Sequence, residues 1–411
     1  MAFAALKGWT TEHKHVVAAS FLGWTLDAFD FFLLVLVLTD VAREFDTSVS
    51  LASWAITLTL FMRPVGAFVF GRLADHFGRR PVMMINVLCY AVLAFLSAFS
   101  PSLIVFLILR ALFGIAMGGE WGVGASLTME SIPAHARGFV SGLLQAGYPT
   151  GYFLASLAYG VLFPLPHVGW RGLFMVGVLP ALLVLYIRRS VPESPGWKKE
   201  HAHHGALLGV LKRHWRLSLY AILLMTAFNF FSHGTQDMYP TFLKADHLFK
   251  PHTISLIQMV YNVGAILGGI TLGSLSQRFG RRYTLIVGAL LALPVIPLWA
   301  YSATPAMLAL GAFIMQFFVQ GVWGVIPAHL NELSPPEARA TFPGFVYQLG
   351  NLFAAYNATL QANLAVSHGS YAIALTIVAG CASLAIAVLA YAGGEAKDVD
   401  MQLKPATQAR T

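Results

Sequence analysis

Apolar runs of about 20 residues, long enough to cross a ~30 Å hydrocarbon layer, recur at roughly 16–39, 50–71, 81–100, 102–129, 136–164, 170–188, 217–243, 252–275, 283–301, 304–331, 340–365 and 369–392. Short polar or basic segments part them. The pattern predicts an all-α integral membrane protein with twelve transmembrane helices. One run is interrupted from within: 229–241 reads N-F-F-S-H-G-T-Q-D-M-Y-P-T. On a helix Asn229, His233, Gln236 and Asp237 stand at i, i+4, i+7 and i+8 and share one face. An ionisable group at membrane depth costs at least ~2.5–3.5 kcal/mol on insertion scales, so this stripe is expected to face a water-filled cavity or a partner.

Composition agrees with the pattern. Hydrophobic residues make up 57% of the 411 and charged residues 11%, with a mean hydropathy of +0.68, values outside the range of soluble domains. If the first run crosses outward, most of the basic residues fall on the cytoplasmic side, and only Arg43, Arg171, Lys244 and Lys250 on the other. That asymmetry predicts both termini in the cytoplasm, in a bacterial inner membrane. The net charge of +8 then reflects topology and not nucleic-acid binding. Residues 1–15 are too polar for a cleavable signal. Cys89 and Cys381 both lie in apolar runs and read as buried free thiols. No cofactor motif, metal-ligand cluster, nucleophile–base pair or phosphate-binding loop is seen, which disfavours an enzyme or direct ATP drive. His201, His203 and His204 read as part of a solvated linker.

The two halves of the chain repeat each other. Gly71-Arg-Leu-Ala-Asp75-His-Phe-Gly78-Arg79-Arg80 returns as Gly273-Ser-Leu-Ser-Gln277-Arg-Phe-Gly280-Arg281-Arg282, 202 residues later. The same offset links Trp121 with Trp323, Glu130 with Glu332, Pro133 with Pro335, Arg137 with Arg339 and Gly142 with Gly344. This predicts two six-helix bundles in parallel repeat, residues 1–190 and 217–393, with a cytoplasmic linker over 191–216 and a tail over 394–411. The arrangement, with its repeated basic loop, resembles the major facilitator superfamily. The resemblance implies that Gly71, Asp75, Gly78, Arg79 and Arg80 form a gating loop, and the exchange of Asp75 for Gln277 implies two unequal gates. Val191-Pro-Glu-Ser-Pro-Gly-Trp197 resembles the superfamily's P-E-S-P-R-W signature, with Gly196 in place of arginine.

Charge is also expected inside the first bundle. Asp27 and Asp30 stand at i and i+3, Asp27 near mid-membrane by a ~1.5 Å rise per residue. Arg110 reaches a similar depth, which suggests a salt bridge to Asp27 or Asp30; Arg63 and Glu120, both nearer the cytoplasm, suggest a second, with exchanged partners left open. Neither arginine has a counterpart in the second half, where Ala265 and Ala312 stand. An anion should therefore be gripped from the first bundle. His233 and Asp237 have no intramembrane lysine or arginine beside them in their own half, and with Asp27 and Asp30 they are candidate proton carriers. Neutral polar residues complete a cavity: Tyr347, Gln348 and Asn351 on the eleventh helix, Gln145, Tyr148 and Tyr152 on the fifth, and Tyr261 and Asn262 on the eighth. Trp24, Phe29, Phe31, Phe32 and Trp121 suggest a small pocket.

Within the superfamily, Asn229-x-x-Ser232-His233-x-Thr235-Gln236-Asp237-x-x-x-Thr241 resembles the signature of the sialate:proton symporter family, in particular its lactate permease branch. Asp27-Ala-Phe-Asp30-Phe, Phe61-Met-Arg63-Pro-Val-Gly66 and Gln348-Leu-Gly-Asn351 are similar to that branch as well. The resemblance implies proton-coupled uptake of lactate, pyruvate or a similar monocarboxylate. It implies recognition or coupling roles for Arg63, Asn229, His233, Gln236, Asp237, Gln348 and Asn351. We add Tyr148 and Tyr347 to the substrate set and Asp27, Asp30, Glu120 and Arg110 to the coupling set. The expected partners are a small organic anion, a proton and the lipid bilayer, with a monomer as the working unit. Sialic acid or another sugar acid is the alternative cargo, and a non-transporting receptor for organic acids is the reading from another class.

Overall fold

The computed structural model describes residues 8–47, 49–52, 54–163, 165, 168–194, 207–339 and 341–399. His201, His203, His204 and the end of the Val191–Trp197 motif lie outside them. The described chain is helical: α1 (Thr11–Glu44), α2 (Trp54–Phe77), α3 (Arg79–Ser97), α4 (Leu103–Ser131), α5 (Arg137–Gln145), α6 (Gly147–Leu162), α7 (Gly169–Val176), α8 (Ala181–Ser190), α9 (Trp215–Gln236), α10 (Tyr239–Ala245), α11 (Pro251–Phe279), α12 (Arg281–Ala292), α13 (Ile296–Ala300), α14 (Pro305–Trp323), α15 (Ile326–Leu333), α16 (Thr341–Ala354), α17 (Asn357–His368) and α18 (Tyr371–Ala392). Among the described residues, ten helices are long and apolar enough to cross a membrane. The expected fifth and eleventh passages are each broken, at Ala146 and after Ala354, so neither makes an uninterrupted span.

Local chemistry accounts for several boundaries. Thr10 caps α1 in a reciprocal capping box with His13, and Ser102, Thr304 and Ser370 accept backbone N–H bonds at the starts of α4, α14 and α18; each cap satisfies a donor that the helix leaves free. The 217–243 run ends as a helix at Gln236, with Asp237 as C-cap, and restarts as α10 with Pro240 in its first turn, where a missing N–H costs nothing. Large apolar side chains such as Ile104 (70% exposed) and Val388 (66%) point outward, as expected where the surrounding solvent is lipid. Cys89 and Cys381 are free thiols, but Cys89 is only half-buried and Cys381 exposed, so the expectation of two buried thiols is corrected.

Glycine sets the closest helix crossings. A Cβ on Gly66 would stand 1.7 Å from the Ile115 carbonyl oxygen, and one on Gly268, 202 residues on, 2.0 Å from that of Phe317. The α2–α4 and α11–α14 crossings are thus the same backbone-to-backbone contact made once in each half. The halves meet along α5 with α11 and α2 with α16, and α15 packs on α4 and α5. On this seam Gly138 and Gly142 face the carbonyls of Gly273 and Gly269. The seam contacts of Gly71 with Thr341 and of Gly138 with Gly273 lie beside the two repeated loops.

Candidate functional site

Between the halves, on the side away from that closed seam, lies a cavity of about 350 Å³. Phe31, Phe32, Val35, Ile56, Leu60 and Arg63 line it from α1 and α2, and Gln145, Tyr148, Pro149 and Tyr152 from α5 and α6. From the second half come Asn229, Ser232, His233, Gln236, Asp237, Gln258, Tyr261, Asn262, Ala265, Gln320, Trp323 and Tyr347. The polar stripe read from the sequence therefore faces a void shared by both halves.

On the second half the polar groups brace one another. His233 Nδ1 lies 3.1 Å from Asp237 Oδ2, and its Nε2 3.2 Å from Asn351 Oδ1. The Asp237 side chain is 38% exposed and has the histidine one turn back as its partner, so it is neither unpaired nor sealed away. Asn229 Nδ2 donates to the Met225 carbonyl at 2.8 Å. Gln236 Nε2 donates to Gln316 Oε1 at 3.0 Å, Gln316 Nε2 to Thr235 Oγ1 at 3.1 Å and Gln320 Nε2 to Ser232 Oγ at 3.2 Å. Gln348 is buried behind this wall, does not line the cavity, and has neither amide atom bonded; it is not placed for contact with a ligand in this conformation. The side chain of Thr241, the last position of the stripe's signature, lies outside those described.

The first half supplies the cation. Arg63 is 3% exposed and lines the cavity, its Nε and Nη2 are buried without a hydrogen-bond partner, and it forms no ion pair among the described residues. The Phe31 ring centroid lies 5.8 Å from its guanidinium carbon. The expected Arg63–Glu120 bridge is corrected. Glu120 instead accepts from Asn86 Nδ2 at 3.2 Å and lies where a Cβ on Gly23 would be 2.1 Å from its Oε1. The two carboxylate oxygens of Asp27 are buried without a hydrogen-bond partner.

Arg110 makes no ion pair with Asp30 or Asp27, whose carboxylate oxygens are all buried without a hydrogen-bond partner. Its Nη2 donates to Ser97 Oγ at 2.7 Å and to the Leu93 carbonyl at 3.3 Å, and the Phe113 ring centroid lies 4.3 Å away. Asp27, Asp30, Arg110 and Glu120 all stand behind the cavity wall and not in it. Trp24 stacks on Tyr148 at 5.5 Å and Trp121 packs on Tyr347 at 4.8 Å. Phe29 turns instead into a buried apolar cluster of the first half.

The repeated loop stands at the closed end. Gly78 has φ +106° and Gly280 φ +95°, a conformation that favours glycine. Arg79 Nη2 lies 3.0 Å from Glu130 Oε1 and 3.5 Å from Asp75 Oδ1, and Arg281 Nη2 lies 2.9 Å from Glu332 Oε1. Glu193 accepts from the backbone N–H of Arg79 and Arg80, and Glu395, again 202 residues on, from that of Arg282. Arg80 also donates to the Arg188 carbonyl. Burial holds the Glu193 carboxyl above its ordinary range, against the backbone N–H bonds and Arg79, which act to lower it. Asp75 accepts from the Thr341 hydroxyl across the seam, whereas Gln277, at the equivalent place, accepts from the Gly138 N–H at 3.1 Å. The two loops are thus built alike and joined to the opposite half by different bonds.

Sequence reasoning missed Gln258, Gln316, Gln320 and Glu395, and it met Glu193 only as part of the Val191–Trp197 motif. Gln316 and Gln320 stand four residues apart in an otherwise apolar helix, a one-face polar pair of the kind that marked the Asn229 stripe. Glu395 was legible through the 202-residue offset from Glu193.

A family model of the Major Facilitator Superfamily matches residues 20–247 and 222–405. The chain is 28% identical over 386 residues to a carboxylic acid transporter protein homolog of Saccharomyces cerevisiae, covering 88% of this chain and 62% of that one, so it spans less than two thirds of that relative's length. It is 27% identical to the sialic acid transporter NanX of Escherichia coli, covering 85% of this chain and 87% of the other. The fold is similar to that of the proton:xylose symporter XylE, with a TM-score of 0.76 at 18% identity over 94% of this chain and 97% of that one. These relatives are transporters and not enzymes.

Proposed function

We propose that this chain, which belongs to the Major Facilitator Superfamily, is a proton-coupled symporter of small monocarboxylates such as lactate or pyruvate. One observation carries the reading: a cavity between the halves has on one wall a cation, Arg63, without an ion-pair partner among the described residues, and on the other the His233–Asp237 pair. A carboxylate needs one strong cationic partner and a few neutral donors, and Arg63 with the surrounding amides and phenols supplies them. A cavity of about 350 Å³ lies at the small end of the ~300–1,000 Å³ range of ligand sites, which suits a three-carbon acid better than a nine-carbon sugar acid. Relatives named for carboxylic acids, sialic acid and cis,cis-muconate support an organic acid as cargo.

The cycle follows from the charges. Binding of the anion at Arg63, with a proton on the His233–Asp237 pair or on Asp27 or Asp30, neutralises the cavity. Residues 1–190 then rock against 217–393 and close it on the other side. With both termini in the cytoplasm of a bacterial inner membrane, the seam closes the cytoplasmic end, and the conformation is outward-facing with a monomer as the working unit. The test is uptake by purified protein in liposomes with an imposed pH gradient. Acid-outside gradients should drive accumulation of labelled lactate or pyruvate; accumulation of sialic acid alone would establish the alternative cargo, and binding without transport would establish a receptor.

A further inference from the structure

The turn that carries His233 and Asp237 is held from both pieces of one interrupted passage. Helix α9 ends at Gln236 and α10 starts at Tyr239. In an unbroken helix the Gly234 carbonyl would accept from the Met238 N–H, a bond that is not made among the described residues. Gln361 of α17 takes its place, its Nε2 donating to the Gly234 carbonyl at 2.7 Å. Gln361 is fully buried, and its Oε1 accepts from Asn357 Nδ2 at 3.3 Å, so the amide is held with its N–H toward α9. One residue earlier, His233 Nε2 meets Asn351 of α16. The two pieces of the broken eleventh passage thus each give one amide to the last turn of α9.

The first half has neither part of this arrangement. The offset of 202 residues carries Gly234 to Phe32 and Gln361 to Tyr159. There α1 runs unbroken from Thr11 to Glu44, so the carbonyl at Phe32 keeps a place in its own helix ladder, and a phenol stands where the second half has an amide. The break and the amide occur together.

We propose that Gln361 is a positioning residue for proton coupling: it replaces the backbone donor lost at the break and so fixes the turn that presents His233 and Asp237 to the cavity. Gln361 does not itself line the cavity. A buried carbonyl without a donor destabilises the conformation that strands it. Without the amide, Gly234 regains a partner only by closing the break onto Met238 or by opening to water, and either moves the chain from Asp237 onward. This rests on the symporter reading above, with the His233–Asp237 pair as proton carrier.

The test compares four proteins. Gln361→Met keeps the side-chain length and removes the donor, Asn357→Leu frees the amide to turn, and Ser383→Ala removes a buried bond from α18 to the Ala289 carbonyl elsewhere in the same half. In proteoliposomes, the ratio of gradient-driven lactate accumulation to lactate exchange at equal pH does not depend on how much protein is folded. It should fall about tenfold in Gln361→Met and about threefold in Asn357→Leu, and keep the wild-type value in Ser383→Ala. An unchanged ratio in Gln361→Met would overturn the proposal, as would an equal fall in Ser383→Ala. Hydrogen exchange of the backbone at 237–239, read by mass spectrometry on the same proteins, needs no cargo. Gln361→Met should speed it about tenfold, and Ser383→Ala should leave it alone. If the wild type accumulates no lactate, the monocarboxylate reading fails by itself and hydrogen exchange decides: faster exchange in Gln361→Met supports the tie for another cargo, and unchanged exchange overturns it. Should Gln361→Met not reach the bilayer, Asn357→Leu decides on both readouts.

Discussion

His233 stands one helical turn before Asp237 with its Nδ1 3.1 Å from the carboxylate, and the second ring nitrogen is held by Asn351 from the opposite side of the same half. The pair is therefore oriented by the protein and wet on one side, which is the arrangement a proton needs to enter and leave. Both side chains line the cavity between the halves, so a proton in that cavity can reach the pair.

Asp237→Asn keeps the size and a hydrogen-bond acceptor for His233 but removes the charge. Accumulation driven by a pH gradient should be lost while lactate exchange without a gradient persists. Gradient-driven uptake equal to wild type would exclude this carboxylate from coupling.

Arg63→Ala removes the one intramembrane cation that lines the cavity among the described residues. At about 1.5–3 kcal/mol for each hydrogen bond to a charged group, loss of two such bonds should lower affinity by about a hundredfold or more. Lactate counterflow at wild-type concentration dependence would remove Arg63 from the site.

Thr341→Val breaks the hydroxyl-to-Asp75 bond across the seam without changing side-chain volume. The closed end should loosen, shifting the balance between outward- and inward-facing states by about 1.5–3 kcal/mol. Spin labels on the two halves near this seam should report a longer-distance population that the wild type lacks.

A methyl group at Gly66 would meet the Ile115 carbonyl at 1.7 Å, whereas one at Gly380 would meet nothing within 4 Å. Gly66→Ala should cost about 1–3 kcal/mol or more by overpacking, read as a lower unfolding temperature in detergent, with Gly380→Ala unchanged.

Glu193 offers a pH test outside the membrane spans. Its carboxyl is raised by burial, so the folded state holds the proton more tightly than the unfolded one, and stability from this group is greatest at low pH and falls as pH rises through the raised value. The Glu193→Gln variant should lose less unfolding temperature between about pH 4 and about pH 7 than the wild type does. An identical slope in both proteins would show that the group does not contribute.

Much of this was legible without coordinates, because lipid imposes simple rules. The length of each apolar run and the one-face spacing of Asn229, His233, Gln236 and Asp237 follow from a solvent that rejects unpaired polar groups. The 202-residue register matched Arg79 with Arg281 and Glu130 with Glu332, and the structure joins them as Arg79–Glu130 and Arg281–Glu332. What failed was the choice of partners. Arg63 and Glu120 were matched by depth, but depth along a helix does not say which neighbour a side chain turns toward, and Glu120 turns to Asn86 and Gly23. Gln316 and Gln320 were overlooked because two amides scarcely lower the hydropathy of a run as apolar as α14.

The order of residues, read against a hydrocarbon solvent, was enough to determine that the chain folds as repeated membrane helices with one polar face in the second half, since each of those features is a local property of spacing. Tertiary packing alone decided that Arg63 and Asp237 share a void and that Arg110 is tied to Ser97. Those outcomes depend on how helices distant in the chain rotate against one another, and that rotation is set by close contacts such as Gly66 on Ile115 and Gly268 on Phe317.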